Sequence, residues 1–341
     1  MRYPWANILL LLFILADMVS GFFGLISGSE DRAIYIQVHR VSGYGILAVL
    51  AWKTANVIRS LKWPKKRPVR IASLALAVIL VVTLALGLVW SIFGEFSWWM
   101  FSGLSWHIYA GVALAPLLLW HAWYMFRGPP VSFWAERRSV LRLGGLAVVG
   151  LLAWQLSEGI ARAASLGGSA RRFTGSYEVG SFTGNDYPIV SWLNDRPSPI
   201  DPEGWTLRVF GEVEREVNLT YEDLSRLSEE TATIDCTGGW FSEQRWDGVP
   251  LSRVLSQAVP AETTRSILVR SVTGYYRRFP LDDAQGFLLA THVTGERLSH
   301  GHGFPLRLVA PGRRGFEWVK WVTEIEISET PSWWQPPLPT Q

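Results

Sequence analysis

The most reactive side chain in this sequence of 341 residues is its single cysteine, Cys236. It lies in Thr233–Trp240 (TIDCTGGW), where a strand-like run ends and glycines follow that let backbone approach a ligand closely. A lone cysteine cannot form an internal disulfide, so it is either buried filler or a reactive or metal-binding thiolate. The segments around it and downstream of it favour the thiolate.

Four segments, in this order, resemble the molybdopterin-binding domain of the sulfite oxidase family. They are Thr233–Trp240 (TIDCTGGW), Arg245–Leu251 (RWDGVPL), His300–Gly312 (HGHGFPLRLVAPG) and Gly315–Trp321 (GFEWVKW). The resemblance covers about residues 185–335. In that family the cysteine thiolate binds molybdenum directly, so the resemblance gives Cys236 that role. A soft thiolate suits a metal that is already held by the dithiolene sulfurs of the pterin.

The resemblance also implies further site residues. Asn185 would contact the cofactor near the entrance, and Tyr276 would face the metal pocket as a second catalytic residue. His302 and Arg307 fall where the family contacts the pterin and its phosphate, and Lys320 falls where a basic residue meets the phosphate. Guanidinium and ammonium groups suit an anionic phosphate. The alternative for Arg307 and Lys320 is ordinary surface charge.

Two departures from the family pattern bear on the substrate. Sulfite oxidases follow the metal-binding cysteine with arginines that help to bind an anion, whereas Thr237–Phe241 (TGGWF) follows Cys236 here. After residue 330 the sequence has Pro331–Trp334 and a proline-rich tail in place of an immunoglobulin-like dimer domain. Both features resemble the periplasmic methionine-sulfoxide-reductase branch, in which a separate haem membrane protein supplies electrons. We therefore expect a small or protein-bound oxide rather than sulfite as the substrate.

The first half of the sequence predicts a membrane domain. Hydrophobic residues make up 49% of the chain, and five apolar runs lie at about 5–27, 34–58, 70–94, 103–126 and 142–162. Each run is near the roughly 20 residues that cross a bilayer, so membrane lipid is an expected partner. The net charge of +3 is small, and no basic face with interleaved aromatic residues is present, which argues against nucleic-acid binding.

Basic residues between the runs predict the orientation. They are Arg59, Lys62, Lys65, Lys66, Arg67 and Arg70 before the third run, and Arg127, Arg137, Arg138 and Arg142 before the fifth. The positive-inside rule places these loops in the cytoplasm. The sequence therefore predicts a multi-pass protein of the cell (inner) membrane, with a cytoplasmic N-terminus and an extracytoplasmic C-terminal domain.

Two charged features of the membrane half each have two interpretations. Asp17 lies inside the first run, and it is either functional or a hydrogen-bonding partner of a neighbouring helix. Glu136–Arg142 (ERRSVLR) looks like an internal twin-arginine export signal, and the alternative is simple inside charge. Export of a folded domain would suit a cofactor that is loaded in the cytoplasm.

Histidines in the membrane half indicate a b-type haem. His39 and His107 each lie shortly after the start of a run that enters from the outside, so they share a depth near the outer face. Two histidines that face each other in a helix bundle are the usual axial pair of a b haem. His121 lies fourteen residues, about 21 Å, beyond His107, but the position fourteen residues beyond His39 is Lys53. We predict one haem, with His39 and His107 as its iron ligands.

Together these features predict a multi-domain architecture: an all-α five-helix transmembrane bundle over residues 1–163, a glycine-rich linker over 164–184, and an α+β molybdopterin domain over 185–341. The expected function is electron transfer between the quinone pool, a b haem and an extracytoplasmic molybdenum centre, with reduction of an S- or N-oxide. Two alternatives stay open. One is oxidation of a sulfite-like substrate with electrons flowing to the haem, and the other is a non-catalytic redox carrier or sensor. The oligomeric state is not predicted by the sequence.

Overall fold

A computed structural model of the chain describes residues 4–60, 67–125, 137–192, 195–224 and 228–340. Several basic residues of the predicted cytoplasmic loops, namely Lys62, Lys65, Lys66 and Arg127, lie outside the described residues, as does Glu136 of the twin-arginine segment. The chain forms two compact units. Unit 1 comprises Met1–Leu25 and Glu30–Tyr177, and unit 2 comprises Ile26–Ser29 and Glu178–Gln341.

Unit 1 contains five long helices. They are α1 (Pro4–Ile26), α2 (Ile34–Ser60), α3 (Arg67–Phe93), α4 (Gly103–Met125) and α5 (Arg137–Ala163). All five are long and apolar enough to cross a membrane. A helix satisfies its own backbone hydrogen bonds, which is what an apolar surrounding requires. Large apolar side chains such as Leu74, Val112 and Leu141 are exposed, a pattern that is typical of helices that face lipid. The predicted five-helix fold of this half is confirmed.

Small residues let the helices of unit 1 approach one another. A Cβ atom on Gly150 of α5 would lie 2.5 Å from the carbonyl oxygen of Val41 in α2, so this contact requires glycine. Close backbone approach at small residues is a main source of helix association in membranes. The centre of the bundle is filled by apolar side chains from all five helices, among them Leu9, Ile46, Leu80, Leu114 and Leu146.

The first part of the predicted linker is packed against unit 1. Gly167–Ala170 forms a turn of 3-10 helix, and a Cβ atom on Gly168 would lie 2.1 Å from the carbonyl oxygen of Ser91. The Trp90 indole donates a hydrogen bond to the Gly175 carbonyl oxygen at 2.8 Å. The boundary between the two units therefore falls after Tyr177, inside the predicted 164–184 linker, and glycines in this segment serve close packing.

The remaining elements are mostly short strands. They are β1 (Ser97–Trp98), β2 (Phe101–Ser102), β3 (Tyr177–Glu178), β4 (Thr206–Gly211), β5 (Val217–Thr220), β6 (Ser228–Asp235), β7 (Trp240–Pro250), α6 (Leu251–Ala258), β8 (Ser266–Ser271), β9 (Tyr276–Pro280), α7 (Leu281–Ala284), β10 (Leu288–Val293), β11 (Glu296–Arg297), β12 (Arg307–Val309) and β13 (Val322–Ser328). The pair β1–β2 is a hairpin in unit 1, and the strands from β4 onward belong to unit 2.

Unit 2 is built on two sheets. In the first, β7 pairs antiparallel with β6 and β10, and β10 also pairs with β11 and β12. In the second, the strand order is β5-β4-β13-β8-β9, and only the β13–β4 pair is parallel among the described strands. Short helices follow strands without regular alternation, so the predicted α+β class is confirmed.

The two sheets share one apolar core. Trp246 of β7 is fully buried, and its indole N–H donates to the Ala232 carbonyl oxygen of β6 at 3.0 Å. Its ring packs edge-on against Trp318, with ring centroids 5.5 Å apart. Gly248, two residues along β7, has no room for a side chain, because a Cβ atom there would lie 2.0 Å from the Leu289 carbonyl oxygen of β10.

We predict that Gly248→Ala destabilises unit 2 by roughly 1–3 kcal/mol, because a methyl group must displace backbone rather than a flexible side chain. Gly204→Ala is the matched control, since a Cβ atom on Gly204 meets no heavy atom within 4 Å. Urea unfolding of both variants, followed by tryptophan fluorescence, measures the difference. Equal unfolding midpoints for the two variants would contradict this account of the β7–β10 contact.

Candidate functional site

Cys236 lies in the tight turn that joins β6 to β7. The Cys236 N–H donates to the Trp240 carbonyl oxygen at 2.9 Å, and the Gly239 N–H donates to the Cys236 carbonyl oxygen at 3.1 Å. Gly239 has a φ of 97°, a conformation that favours glycine, so the TGG sequence fits this turn. The Gly238 N–H points at the Cys236 Sγ atom at 3.3 Å. The turn therefore fixes the direction of the thiol.

A buried ion pair fastens the cysteine turn to a second loop. The Arg314 guanidinium donates to the Asp235 carboxylate at 2.7 Å and to the Cys236 carbonyl oxygen at 3.1 Å. Both side chains of the pair are about 98% buried, with 2% exposure each. Gly315 packs so closely that a Cβ atom there would lie 3.3 Å from the Cys236 Cα atom. The loop that follows β12 is thus held against the backbone of the cysteine.

Arg307 on β12 is a buried cation beside the same region. One of its terminal nitrogens donates to the His302 carbonyl oxygen at 2.9 Å and to the Tyr187 hydroxyl at 3.2 Å. Its guanidinium lies over the rings of Trp246 and Trp318, at 5.5 and 5.8 Å from their centroids. Its Nε atom is buried and makes no hydrogen bond to any described residue. A buried donor without an acceptor is costly, so this atom is suited to a bound ligand.

His302 is a neutral packing residue next to Arg307. Its Nε2 atom is 3.0 Å from the Tyr187 carbonyl oxygen, which can only accept, and its Nδ1 atom is 2.8 Å from the Ser299 hydroxyl. Burial, together with the charge of Arg307, lowers the pKa of His302 to about 4. Both ring nitrogens are therefore used within the protein, and the imidazole positions Tyr187, whose ring centroid is 4.0 Å away.

Lys320 completes a group of positive side chains. Its ammonium donates to the Gly301 carbonyl oxygen at 2.7 Å and lies 3.3 Å from the Ser191 hydroxyl. Burial and the neighbouring charge of Arg307 lower its pKa to about 7. Burial raises the pKa of the Cys236 thiol, whereas the Gly238 N–H and the charges of Arg314 and Lys320 act in the opposite direction. The thiol and the cations are thus close enough to influence each other.

The charges around Cys236 do not balance. Arg314 is paired with Asp235, but within the described ranges neither Arg307 nor Lys320 has a carboxylate partner at salt-bridge distance. Leaving a buried cation uncompensated costs several kcal/mol, so the group is suited to an anion. A pocket lined by Ser191, Gly315, Lys320 and Asp195, among others, opens beside them, and the Asp195 carboxylate acts on Lys320 from beyond salt-bridge distance. Arg307, Lys320 and the Cys236 thiol therefore fit a phosphate-bearing pterin whose metal accepts a thiolate.

The other residues inferred from the resemblance have different surroundings. The Asn185 amide donates to the Arg297 carbonyl oxygen at 3.0 Å and accepts from the Ser299 N–H at 2.8 Å, so it holds the segment before His300 in place. Tyr276 lies at the start of β9, with the Arg270 guanidinium 5.3 Å above its ring. Among the described residues, the pocket is lined by Tyr275 and not by Tyr276.

Sequence reasoning missed three residues that the structure brings to the site: Arg314, Tyr187 and Tyr275. The Tyr275 hydroxyl donates to the Phe316 carbonyl oxygen. Arg314 directly precedes the Gly315–Trp321 segment, so its place between two matched motifs was the available signal. Nothing in the sequence pattern singles out Tyr187. Nor does it distinguish Tyr275 from Tyr276, because these adjacent tyrosines differ only in which way their side chains point, and the fold decides that.

In unit 1 the structure brings His39 and His107 together. Their ring centroids are 5.8 Å apart, and the rings are nearly perpendicular, at 85°. With metal–nitrogen bonds of about 2 Å, two imidazoles that share a metal ion need ring centres roughly 6 Å apart. The separation of the predicted pair is therefore one at which both imidazoles could bind the same metal ion.

A backbone carbonyl fixes each of these imidazoles. His39 Nδ1 is 2.8 Å from the Asp17 carbonyl oxygen in α1, and His107 Nδ1 is 2.9 Å from the Thr83 carbonyl oxygen in α3. A carbonyl can only accept, so both Nδ1 atoms carry the proton and both Nε2 atoms keep a free lone pair. This tautomer is the one that metal-binding histidines use when a carbonyl orients them.

Glycines make room for both imidazoles. A Cβ atom on Gly21, one helical turn after Asp17, would lie 2.9 Å from His39 Nδ1. A Cβ atom on Gly87, one turn after Thr83, would lie 3.0 Å from the His107 ring. The arrangement on α1 and α2 is thus repeated on α3 and α4, and each histidine reaches the neighbouring helix backbone only because glycine stands there.

The residues fourteen positions after His107 and His39, namely His121 and Lys53, make different contacts. His121 Nδ1 is 3.2 Å from the Ser73 hydroxyl, and the Lys53 ammonium donates to the Asn7 side chain at 2.9 Å. Elsewhere in the described chain, no cluster of three or more His, Cys, Asp or Glu side chains could hold a metal ion by itself. A metal at either candidate site would therefore need a cofactor that brings ligands of its own.

Comparison with known proteins supports the interpretation of unit 2. The family described as the oxidoreductase molybdopterin binding domain matches residues 194–334. The uncharacterized oxidoreductase YuiH of Bacillus subtilis is 31% identical over 156 residues, which cover 44% of this chain and 78% of YuiH. The protein-methionine-sulfoxide reductase catalytic subunit MsrP of Gluconobacter oxydans is 30% identical over 157 residues, which cover 39% of this chain and 50% of MsrP.

Two further similarities are more partial. The NADPH nitrate reductase of Beauveria bassiana is 26% identical over 174 residues, which cover 20% of that enzyme. Among solved structures, the sulfane dehydrogenase SoxCD of Paracoccus pantotrophus is 28% identical, with a TM-score of 0.37 over 39% of this chain and 40% of that chain. The chain thus spans about half the length of MsrP and less of these two proteins.

We predict that Arg314→Met destabilises unit 2 by about 3–5 kcal/mol, because it leaves the Asp235 carboxylate buried without its cation. Arg245→Met is the control, since Arg245 lies on the neighbouring strand β7 and is exposed. Thermal unfolding of the two variants in detergent measures the effect. If the two variants unfold at the same temperature, the Asp235–Arg314 pair does not hold the cysteine turn in the way described above.

Proposed function

The chain belongs to the sulfite oxidase family of molybdopterin-dependent oxidoreductases, and from that premise we propose that it is a membrane-bound enzyme that transfers electrons between the quinone pool and an extracytoplasmic molybdenum centre through a b haem. The enzyme reduces an S- or N-oxide. The observation that supports the molybdenum part is that the basic side chains Arg307 and Lys320 interact electrostatically with Cys236 and have no carboxylate at salt-bridge distance among the described residues. The observation that carries the haem part is the geometry of His39 and His107.

In this proposal the residues of unit 2 divide the work of cofactor binding. Cys236 supplies a thiolate ligand. Burial raises the pKa of its thiol, and the Gly238 N–H and the Arg314 charge oppose that rise. Arg307 and Lys320 bind the phosphate, and the buried Arg307 Nε atom gains an acceptor. When bound, the molybdenum cofactor supplies two-electron oxygen-atom transfer. His302 and Asn185 act indirectly, because their hydrogen bonds hold the protein segments that line the site.

The residues around the Cys236 thiol indicate the class of substrate. Thr237 and Gly238 follow Cys236 where sulfite oxidases carry anion-binding arginines, so an anionic substrate lacks its counter-charges there. Aromatic side chains, including Trp192, Tyr275 and Phe316, line the nearby pocket together with Lys320 and Asp195. In this proposal Lys320 is occupied by the cofactor phosphate, so the substrate meets mainly the aromatic walls, which fit a neutral oxide better than sulfite. Tyr276 does not line this pocket, so a catalytic role for Tyr276 requires that ligand binding move it there.

Membrane orientation is part of the same proposal. The exposed Arg137 and Arg138 begin α5, and basic residues at this end favour a cytoplasmic location. Unit 2 then lies outside, and it is exported after the cofactor is loaded. When bound, a b haem supplies one-electron transfer, which connects a two-electron quinol to the molybdenum site.

Electron flow in the opposite direction, from an oxidised substrate to the haem, is the second candidate. It uses the same residues and differs only in which partner is the donor. A non-catalytic carrier or sensor is the third, and the intact Cys236 argues against it, because a protein without turnover has no need of a metal-binding thiolate. Assays with reduced protein against S-oxides and N-oxides, and with oxidised protein against sulfite, separate the three.

We predict that Cys236→Ser abolishes turnover and leaves the haem absorbance unchanged, because an alcohol is a poor substitute for a thiolate at molybdenum. Thr237→Ser in the same turn is the control and retains activity. The measurements are molybdenum content, the haem spectrum and oxide reduction by quinol in membranes. Full activity of Cys236→Ser would refute the assignment of the metal ligand.

The haem content of the protein can be tested independently of the molybdenum site. We expect about one b haem per chain, lost in His39→Ala or His107→Ala and retained in His121→Ala, because the rings of His39 and His107 lie together and a backbone carbonyl holds each at Nδ1. A pyridine haemochrome assay on the purified variants gives the haem content. Two haems per chain, or loss of haem in His121→Ala alone, would show that other ligands are used.

A further inference from the structure

The two candidate haem ligands differ in one respect. His107 is held by the Thr83 carbonyl oxygen, and the Thr83 hydroxyl is turned back to the Ile79 carbonyl oxygen at 2.8 Å. His39 is held by the Asp17 carbonyl oxygen, and in addition the Asp17 carboxylate lies 3.3 Å from the same Nδ1 atom. One imidazole therefore donates to a neutral group, and the other also faces a carboxylate.

The carboxylate has few other partners. Within the described ranges, the ion pair of Asp17 is with His39. The Ser20 hydroxyl donates to the Ala16 and Asp17 carbonyl oxygens and not to the carboxylate. Gly43 of α2 also borders the carboxylate, since a Cβ atom there would lie 3.5 Å from Asp17 Oδ1. Asp17 is thus directed at the imidazole in an apolar helix bundle, where a charge acts strongly over short distances.

We infer that Asp17 is a positioning residue that lowers the reduction potential of the haem held by His39 and His107. This inference rests on the haem part of the proposed function. When ionised, a carboxylate beside Nδ1–H makes the imidazole a stronger donor, and with a haem bound its negative charge would stabilise the ferric state over the ferrous state. The haem then gives up its electron more readily, which favours flow toward an oxide-reducing centre over flow in the opposite direction.

The same role accounts for the presence of an acidic residue within α1. A carboxylate within a membrane helix is costly, and it is retained where it has a function. A hydrogen bond alone would not require it, because the carbonyl oxygen of residue 17 already accepts from His39 and any residue would supply that carbonyl. The equivalent position on α3 is a threonine, so the orienting device works there without charge.

The test is a potentiometric titration of the haem α band in membranes that contain the full chain. Asp17→Asn keeps the size and the carbonyl of residue 17 but removes the charge, so its haem potential rises relative to the wild type. Asp17→Glu keeps the charge and stays closer to the wild type. Asp31→Asn, which removes the same charge from an exposed residue between α1 and α2, is the matched control and leaves the potential unchanged. An unchanged potential in Asp17→Asn overturns the inference.

A second pair of variants decides the question if Asp17→Asn does not assemble. Gly43→Ser places a hydroxyl near the Asp17 carboxylate, which weakens its effect on His39 and raises the potential, whereas Gly43→Ala adds the same Cβ atom without a donor. Equal potentials in these two variants overturn the inference. Wild-type membranes without b haem would instead refute the proposed haem function, so the two failures are distinguishable.

Discussion

The salt bridge between Asp235 and Arg314 joins the two loops on which the thiol site depends. Asp235 ends β6 and Arg314 lies in the loop after β12, so the pair connects segments that are far apart in the sequence. Because both groups are buried, the loss of either partner leaves the other as an uncompensated buried charge, which strongly destabilises the fold. Through the Cys236 carbonyl oxygen, Arg314 also fixes the backbone of the cysteine itself. The position of the thiol is therefore set by tertiary contacts and not by the turn alone.

Around this fixed point lie two basic side chains, the buried Arg307 and the half-buried Lys320, for which the described residues provide no carboxylate at salt-bridge distance. Arg307 and Lys320 are held by carbonyl oxygens, a tyrosine hydroxyl and aromatic rings, none of which neutralises them. A structure selected only for stability would pair or remove such groups. The surplus is understandable if an anionic cofactor completes the site, which agrees with the family to which the chain belongs.

Unit 1 uses a different device to place its histidines. Each imidazole donates to a carbonyl of a neighbouring helix, and a glycine one turn later lets the ring approach. Every helix residue has a backbone carbonyl, so this hydrogen bond requires only that a glycine leave space for the imidazole to reach it. The Asp17 carboxylate lies beside only one of the two imidazoles, so their surroundings are unequal. Under the proposed function, this inequality would bear on the direction of electron flow.

The sequence by itself determined the five apolar helices, the α+β class of the second half and the family, because these depend on run length, strand alternation and motif order. It also predicted Cys236, Arg307 and Lys320 as site residues. It also paired His39 with His107 by equal depth along parallel helices. Only the tertiary structure decided that His302 and Asn185 hold loops, that Tyr275 rather than Tyr276 lines the pocket, and that residues up to Tyr177 pack with unit 1. Asp17 was undecided in the sequence and became a neighbour of His39 only in the fold. The physical reason is that composition and periodicity record which face is buried, whereas the partner of a polar atom depends on segments that meet only after the chain has folded.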